Sequence, residues 1–168
     1  WVVAILDTGI DKSHPFLSGK VVSEACYSTN FSTNTATITS VCPGGVIEST
    51  ATNSGLNCST SIEGCYHGTH VAGIAAGKGS SFSGVAKDAH LISVQVFSRV
   101  DSASDCYPRS SPCPLSYTSD QIKGLERVYA LRNSYQIASV NISIGGGRFT
   151  SNCDSAEDDV KSSIDKLR

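Results

Sequence analysis

The chain has no methionine and one tryptophan among its 168 residues. Without an initiator, and opening directly on an apolar run, it reads as a piece of a longer polypeptide cut at both ends. A truncated start makes the lack of a signal peptide uninformative. Charge of either sign is scarce in excess: 13 basic and 15 acidic residues are scattered to a net −2. That balance offers no nucleic-acid surface and no polybasic membrane patch. No apolar run approaches the roughly 20 residues of a membrane span. No C-x-x-C pair occurs, which argues against a zinc ribbon.

What the chain does have is cysteine: Cys26, Cys42, Cys58, Cys65, Cys106, Cys113 and Cys153. Disulfides persist in oxidising compartments, so seven cysteines point to a secreted protein. An odd count leaves one thiol over, and Cys153 is the expected remainder. A Cys58–Cys65 bridge would close a loop of about 8 residues and contribute roughly 2.5 kcal/mol in the chain-entropy model. It would anchor the segment leading into His67. A Cys106–Cys113 bridge would stiffen a second loop. The length suits one modest α/β domain with a real core.

Two stretches carry chemistry. Val2-Val3-Ala4-Ile5-Leu6 is a continuous apolar run, as in a strand covered on both faces, and it ends in Asp7-Thr8-Gly9-Ile10-Asp11. A carboxylate at the carboxyl end of a buried strand sits where open α/β sheets place their sites, although Asp before Gly is also a common turn former. His67-Gly68-Thr69-His70-Val71-Ala72-Gly73-Ile74-Ala75-Ala76-Gly77 reads as a buried helix, with Val71 and Ile74 supplying apolar contact. Its glycines cost about 1 kcal/mol each relative to alanine, which close packing or a site must repay. A histidine on its first turn is either a surface group or a working base.

Together with His14-Pro15 and a third stretch, Asn141-Ile142-Ser143-Ile144-Gly145-Gly146, these motifs resemble the subtilisin-like serine protease family. The resemblance covers nearly the whole chain and is loosest in residues 20–64 and 98–117. Phe16 stands where the family more often has an acid. The resemblance implies an α/β fold, a parallel sheet with helices on both faces, here truncated before the nucleophile helix. Residues 1–168 would then be the N-terminal part of a peptidase domain. It implies catalytic roles for Asp7 and His67 and a substrate-binding strand at Ser143, Ile144 and Gly145. The nucleophile would come from a later Gly-Thr-Ser segment, which this sequence lacks, as it lacks the family's oxyanion asparagine. The 168 residues alone are therefore expected to be inactive.

The resemblance also implies polypeptide substrates, a monomer and an inhibitory propeptide. Many bacterial relatives carry a calcium loop after the histidine helix. Here residues 79–87 are short and offer no carboxylate before Asp88, so no cofactor is expected from this sequence, although calcium in a full-length protein stays open. Two other function classes compete. A degenerate protease could keep the cleft as a non-catalytic binding module. A metal hydrolase could use Asp7, His67 and His70, since the two histidines lie three apart on one helix.

The remaining chain reads as follows. Lys20-Val21-Val22 is a short strand, and the rest of 19–66 is polar, without period, and held by cysteines. Ala89 to Phe97 is one strand. The insertion in 98–117 is a surface loop or an altered specificity wall beside the cleft. Ser119 caps a helix to about Asn133 with Ile122, Leu125, Val128, Tyr129 and Arg132 on its packed face. Ile137 to Ile144 is the next strand, ending in Gly145-Gly146-Gly147. Ser155 opens a last helix through a capping box, with Val160, Ile164 and Leu167 on one face. Strand and helix alternate, which predicts parallel strands with right-handed crossovers.

Overall fold

The computed structural model describes residues 1–146 and 149–168. Along the chain come β1 (Val2–Asp7), β2 (Val21–Tyr27), β3 (Phe31–Ser32), β4 (Thr37–Ser40) and β5 (Glu48–Ser49). Then follow α1 (His67–Ala76), β6 (His90–Gln95), β7 (Phe97–Asp101), α2 (Ala103–Cys106) and β8 (Cys113–Ser116). Helix α3 (Thr118–Ala130), β9 (Ile137–Ile142) and α4 (Asp158–Asp165) complete it.

The apolar run of β1 forms the centre because both of its faces can be buried. Side chains alternate across a strand. Val2, Ala4 and Leu6 therefore pack with Leu125 and Val128 of α3, and Val160, Ile164 and Leu167 close over the same cluster. Val3 and Ile5 pack on the other face with Ala72 and Ala76 of α1. The sheet order is β5-β2-β6-β1-β9. Strands β2, β6, β1 and β9 run parallel, and β5 is antiparallel to β2. The α/β architecture with helices on both faces of a mainly parallel sheet is thus present.

Several elements differ from the sequence expectation. Residues 19–66 are not one structureless loop: β2 runs on to Tyr27, and β3 and β4 pair with β7 and β8 in a second, antiparallel sheet of order β3-β4-β7-β8. The expected single strand over 89–97 is two, because the chain leaves the parallel sheet after Gln95 and enters the second sheet at Phe97. Gln95 Oε1 accepts the Phe97 N–H at that switch, satisfying a donor that has left the ladder.

Helix α3 starts at Thr118, and Tyr117 is its N-cap, without a side-chain bond, so Ser119 does not cap it. Its packed stripe is narrower than expected. Leu125 and Val128 are buried, while Tyr129 is exposed and carries the Arg132 guanidinium over its ring at 3.8 Å. Helix α4 begins at Asp158 behind Glu157, and no capping box forms from Ser155. On α1, Ile74 faces solvent at 70 % exposure rather than the core.

Three disulfides form: Cys26–Cys42, Cys58–Cys65 and Cys106–Cys113. Cys153 is free. No helix among the described residues is long and apolar enough to cross a membrane.

Candidate active site

The site grows from the carboxyl end of β1, where the strand delivers Asp7 fully buried. A carboxylate without water needs donors. Oδ1 accepts the Thr8 N–H at 2.7 Å. The second donor is the His67 ring, whose Nδ1 lies 2.8 Å from Oδ1 and 2.9 Å from Oδ2. An ionised carboxylate only accepts, so Nδ1 carries the proton and donates it. That leaves Nε2 as the ring's acceptor nitrogen. The His67 side chain is 48 % exposed, so the pair has a buried acid end and an open imidazole end.

The backbone around this pair explains why it forms across 60 residues of sequence. Gly9 turns the chain at φ +85°, a left-handed conformation that glycine adopts without strain. A Cβ on Gly68 would lie 2.3 Å from the Gly9 carbonyl oxygen and 3.1 Å from Asp7 Oδ1. Glycine at 68 therefore lets the first turn of α1 sit directly on the strand end. Thr8 clips the two together: its Oγ1 accepts the Gly68 N–H at 2.9 Å and donates to the Cys65 carbonyl at 3.3 Å. Thr69 Oγ1 accepts the Asp11 N–H at 2.8 Å. The Cys58–Cys65 bridge holds the approach, and Cys58 N–H donates to the Thr8 carbonyl at 3.1 Å.

His67 lines a cleft of about 720 Å³. Ser143, Ile144 and Gly145 line it as well, just beyond the end of β9. They carry no regular secondary structure and are not the last residues of the expected strand, which stops at Ile142. Ser143 Oγ accepts from Asn141 Nδ2 at 2.8 Å, and Ile144 packs its side chain on the core. A Cβ placed on Gly145 or Gly146 would meet no atom of the described residues within 4 Å, so among them the space above these glycines is open. Gly147, the last of the glycine run, lies outside the described residues. The cleft is also lined by β8, Tyr117 and the loop closed by Cys106–Cys113. Burial pushes the Tyr117 phenol pKa up, with the Asp105 and Asp120 carboxylates adding to it.

The other histidines are elsewhere. His14 accepts the Phe16 N–H on its own ring nitrogen at 3.2 Å. His70 packs beside Tyr66, ring centroids 5.2 Å apart, and lines a separate apolar groove with Phe16 and Phe82. Among the described residues no three His, Cys, Asp or Glu side chains gather as a metal site, so the set Asp7, His67 and His70 does not assemble. Sequence reasoning missed Thr8, and it left the 98–117 insertion open between a surface loop and a specificity wall; β8, inside that insertion, lines the cleft. A threonine directly after a strand-end acid, facing Gly68 in a later motif, was a usable signal only once the two motifs were placed together. Cys-Pro-Leu-Ser carries no alternation that would mark an edge strand.

The Subtilase family model matches residues 1–167. The chain belongs to the subtilase family. Among solved structures, it is similar to Sphericase, with a TM-score of 0.61 and 22 % identity, over 98 % of this chain and 41 % of that one. A psychrophilic protease gives 0.59 and 22 %, again over 98 % and 41 %. The CspB protease of Clostridium perfringens gives 0.55 and 20 %, over 96 % and 33 %. At such identities these likenesses speak for the fold. The subtilase chain thus spans about two fifths or less of these neighbours' length.

Proposed function

We propose that residues 1–168 carry the acid and base of a serine endopeptidase, as part of a longer peptidase domain whose nucleophile lies in sequence outside them. The observation that carries this reading is the bond from His67 Nδ1 to the buried Asp7 carboxylate, on a ring whose far edge opens into the cleft. Asp7 fixes the ring tautomer and stabilises the imidazolium that forms when Nε2 takes the serine proton. Ser143, Ile144 and Gly145 pair their backbone with an extended substrate. Main-chain pairing reads little of the side chains, so this strand by itself accepts polypeptides broadly. The open space over Gly145 leaves room for the side chain beside the scissile bond.

Family membership supports a serine peptidase kind, and three disulfides support a secreted protein. We take it to act as a monomer and to be made with an inhibitory propeptide. The test is fluorophosphonate labelling and peptide turnover by the full-length protein. His67→Ala should lower kcat by on the order of 10⁶, and Asp7→Asn by on the order of 10⁴, with KM little changed. Residues 1–168 alone should not label. Full turnover by His67→Ala, or labelling of the short chain, would overturn the proposal.

A further inference from the structure

The cleft carries more charge than the proposed chemistry uses. Besides His67 it is lined by Glu63, Asp105 and Arg109. Arg109 sits inside the loop closed by Cys106–Cys113, and its backbone N–H donates to the Cys106 carbonyl at 2.9 Å. Its side chain reaches back across the cleft wall: Nη1 lies 4.0 Å from where a Cβ on Gly64 would stand. Pro114 Cγ is 3.2 Å from the same point. One guanidinium nitrogen thus stands beside the turn that enters α1, three residues before His67.

No carboxylate among the described residues pairs with it within 4.0 Å. That is informative because two carboxylates line the same cleft. Asp105 is exposed, with Ser104 Oγ 3.4 Å from its Oδ1, and it forms no ion pair with Arg109. Glu63 is exposed and leaves Arg109 unpaired although Gly64 is its chain neighbour. A guanidinium presents a planar fork of donors that matches a carboxylate. The crosslinked loop fixes the backbone that carries this exposed side chain, which lowers part of the entropy lost on binding.

We infer that Arg109 is a specificity-determining residue, and that the cleft selects polypeptide substrates with an acidic side chain, Asp or Glu, near the scissile bond. This rests on the peptidase reading above. The substrate backbone lies along Ser143 to Gly145, and its acidic group meets Arg109 in the same cleft. The cleft is open, so the pair is partly solvated. The gain is then at most roughly fivefold in kcat/KM for Glu over its neutral isostere Gln, and it falls as salt rises.

The experiment uses the full-length protein and fluorogenic peptides carrying Glu, Gln or Lys at each of the four positions before the scissile bond. The Glu/Gln ratio of kcat/KM should exceed one at one position. Arg109→Ala should bring that ratio to about one, and Arg109→Glu should turn it in favour of Lys. A loss of packing alone lowers all peptides together and cannot reverse the sign. A ratio near one in the parent protein, or a ratio that Arg109→Glu leaves in place, overturns the inference. So does a Lys preference that Glu63→Gln or Asp105→Asn abolishes, since those acids would then set the choice. If no peptide is cut and fluorophosphonate does not label, it is the peptidase reading that falls.

Discussion

At the scale of single residues, the most instructive side chain is Thr8. One hydroxyl receives the Gly68 N–H and donates to the Cys65 carbonyl, so it joins the end of β1 to the start of α1. Valine has the same shape without the hydroxyl. Thr8→Val would leave a buried N–H with no partner, which costs about 1–3 kcal/mol. The expected outcome for the full-length protein is a lower urea midpoint with unchanged slope, and faster amide exchange at Gly68. Thr8→Ser should recover most of the loss. Equal stability of the valine variant would show that the clip contributes nothing. Asp7 and His67 were legible in the sequence because each stands at the end of a strongly patterned stretch. Thr8 was not, since its meaning depends on a partner 60 positions away.

At the scale of elements, the strong periodic segments were readable and the short polar ones were not. The run Val2 to Leu6 and the small-residue helix after His67 declare themselves through burial on two faces and on one. Strands β3 and β4 expose Phe31, Thr37 and Thr39 and bury only Ile38 and Ser40, so their pattern is too brief to separate from loop. Their place is set by pairing with β7 and by Cys26–Cys42, both contacts distant in sequence. The Cys58–Cys65 bridge was readable from spacing, because a short closed loop needs only local geometry. Removing it in a Cys58→Ala/Cys65→Ala double variant should lower stability by roughly 2–3 kcal/mol, through freedom regained by the unfolded chain. Denaturant unfolding with and without reductant measures it. If the bridge also holds the approach to His67, the amides of Gly64 to Gly68 should lose exchange protection beyond that global loss. Uniform loss would confine its effect to the unfolded state.

At the scale of the whole molecule, the sheet is finished on one side and open on the other. Strand β5 closes the β2 side with a short, polar antiparallel pair. On the other side β9 bonds β1 alone among the described residues, and its Ile137, Val140 and Ile142 stay only partly covered. Between β9, α3 and α4 lies a cavity of about 510 Å³, lined by Leu125, Val128 and Ile164 among others. An unpaired strand edge next to exposed apolar surface is a template for a further strand. Neighbours of the same fold are more than twice as long, so in a longer protein that template has chain available to it. Residues 1–168 expressed by themselves have only each other. They should therefore self-associate with rising concentration in sedimentation velocity and bind an apolar dye, where the full-length protein does neither. A lysine at Ala138, which stands exposed on the free strand, should suppress the association, because a buried charge at a new strand pair is costly. A monodisperse, cooperatively unfolding 168-residue monomer would show that this edge is protected as it stands.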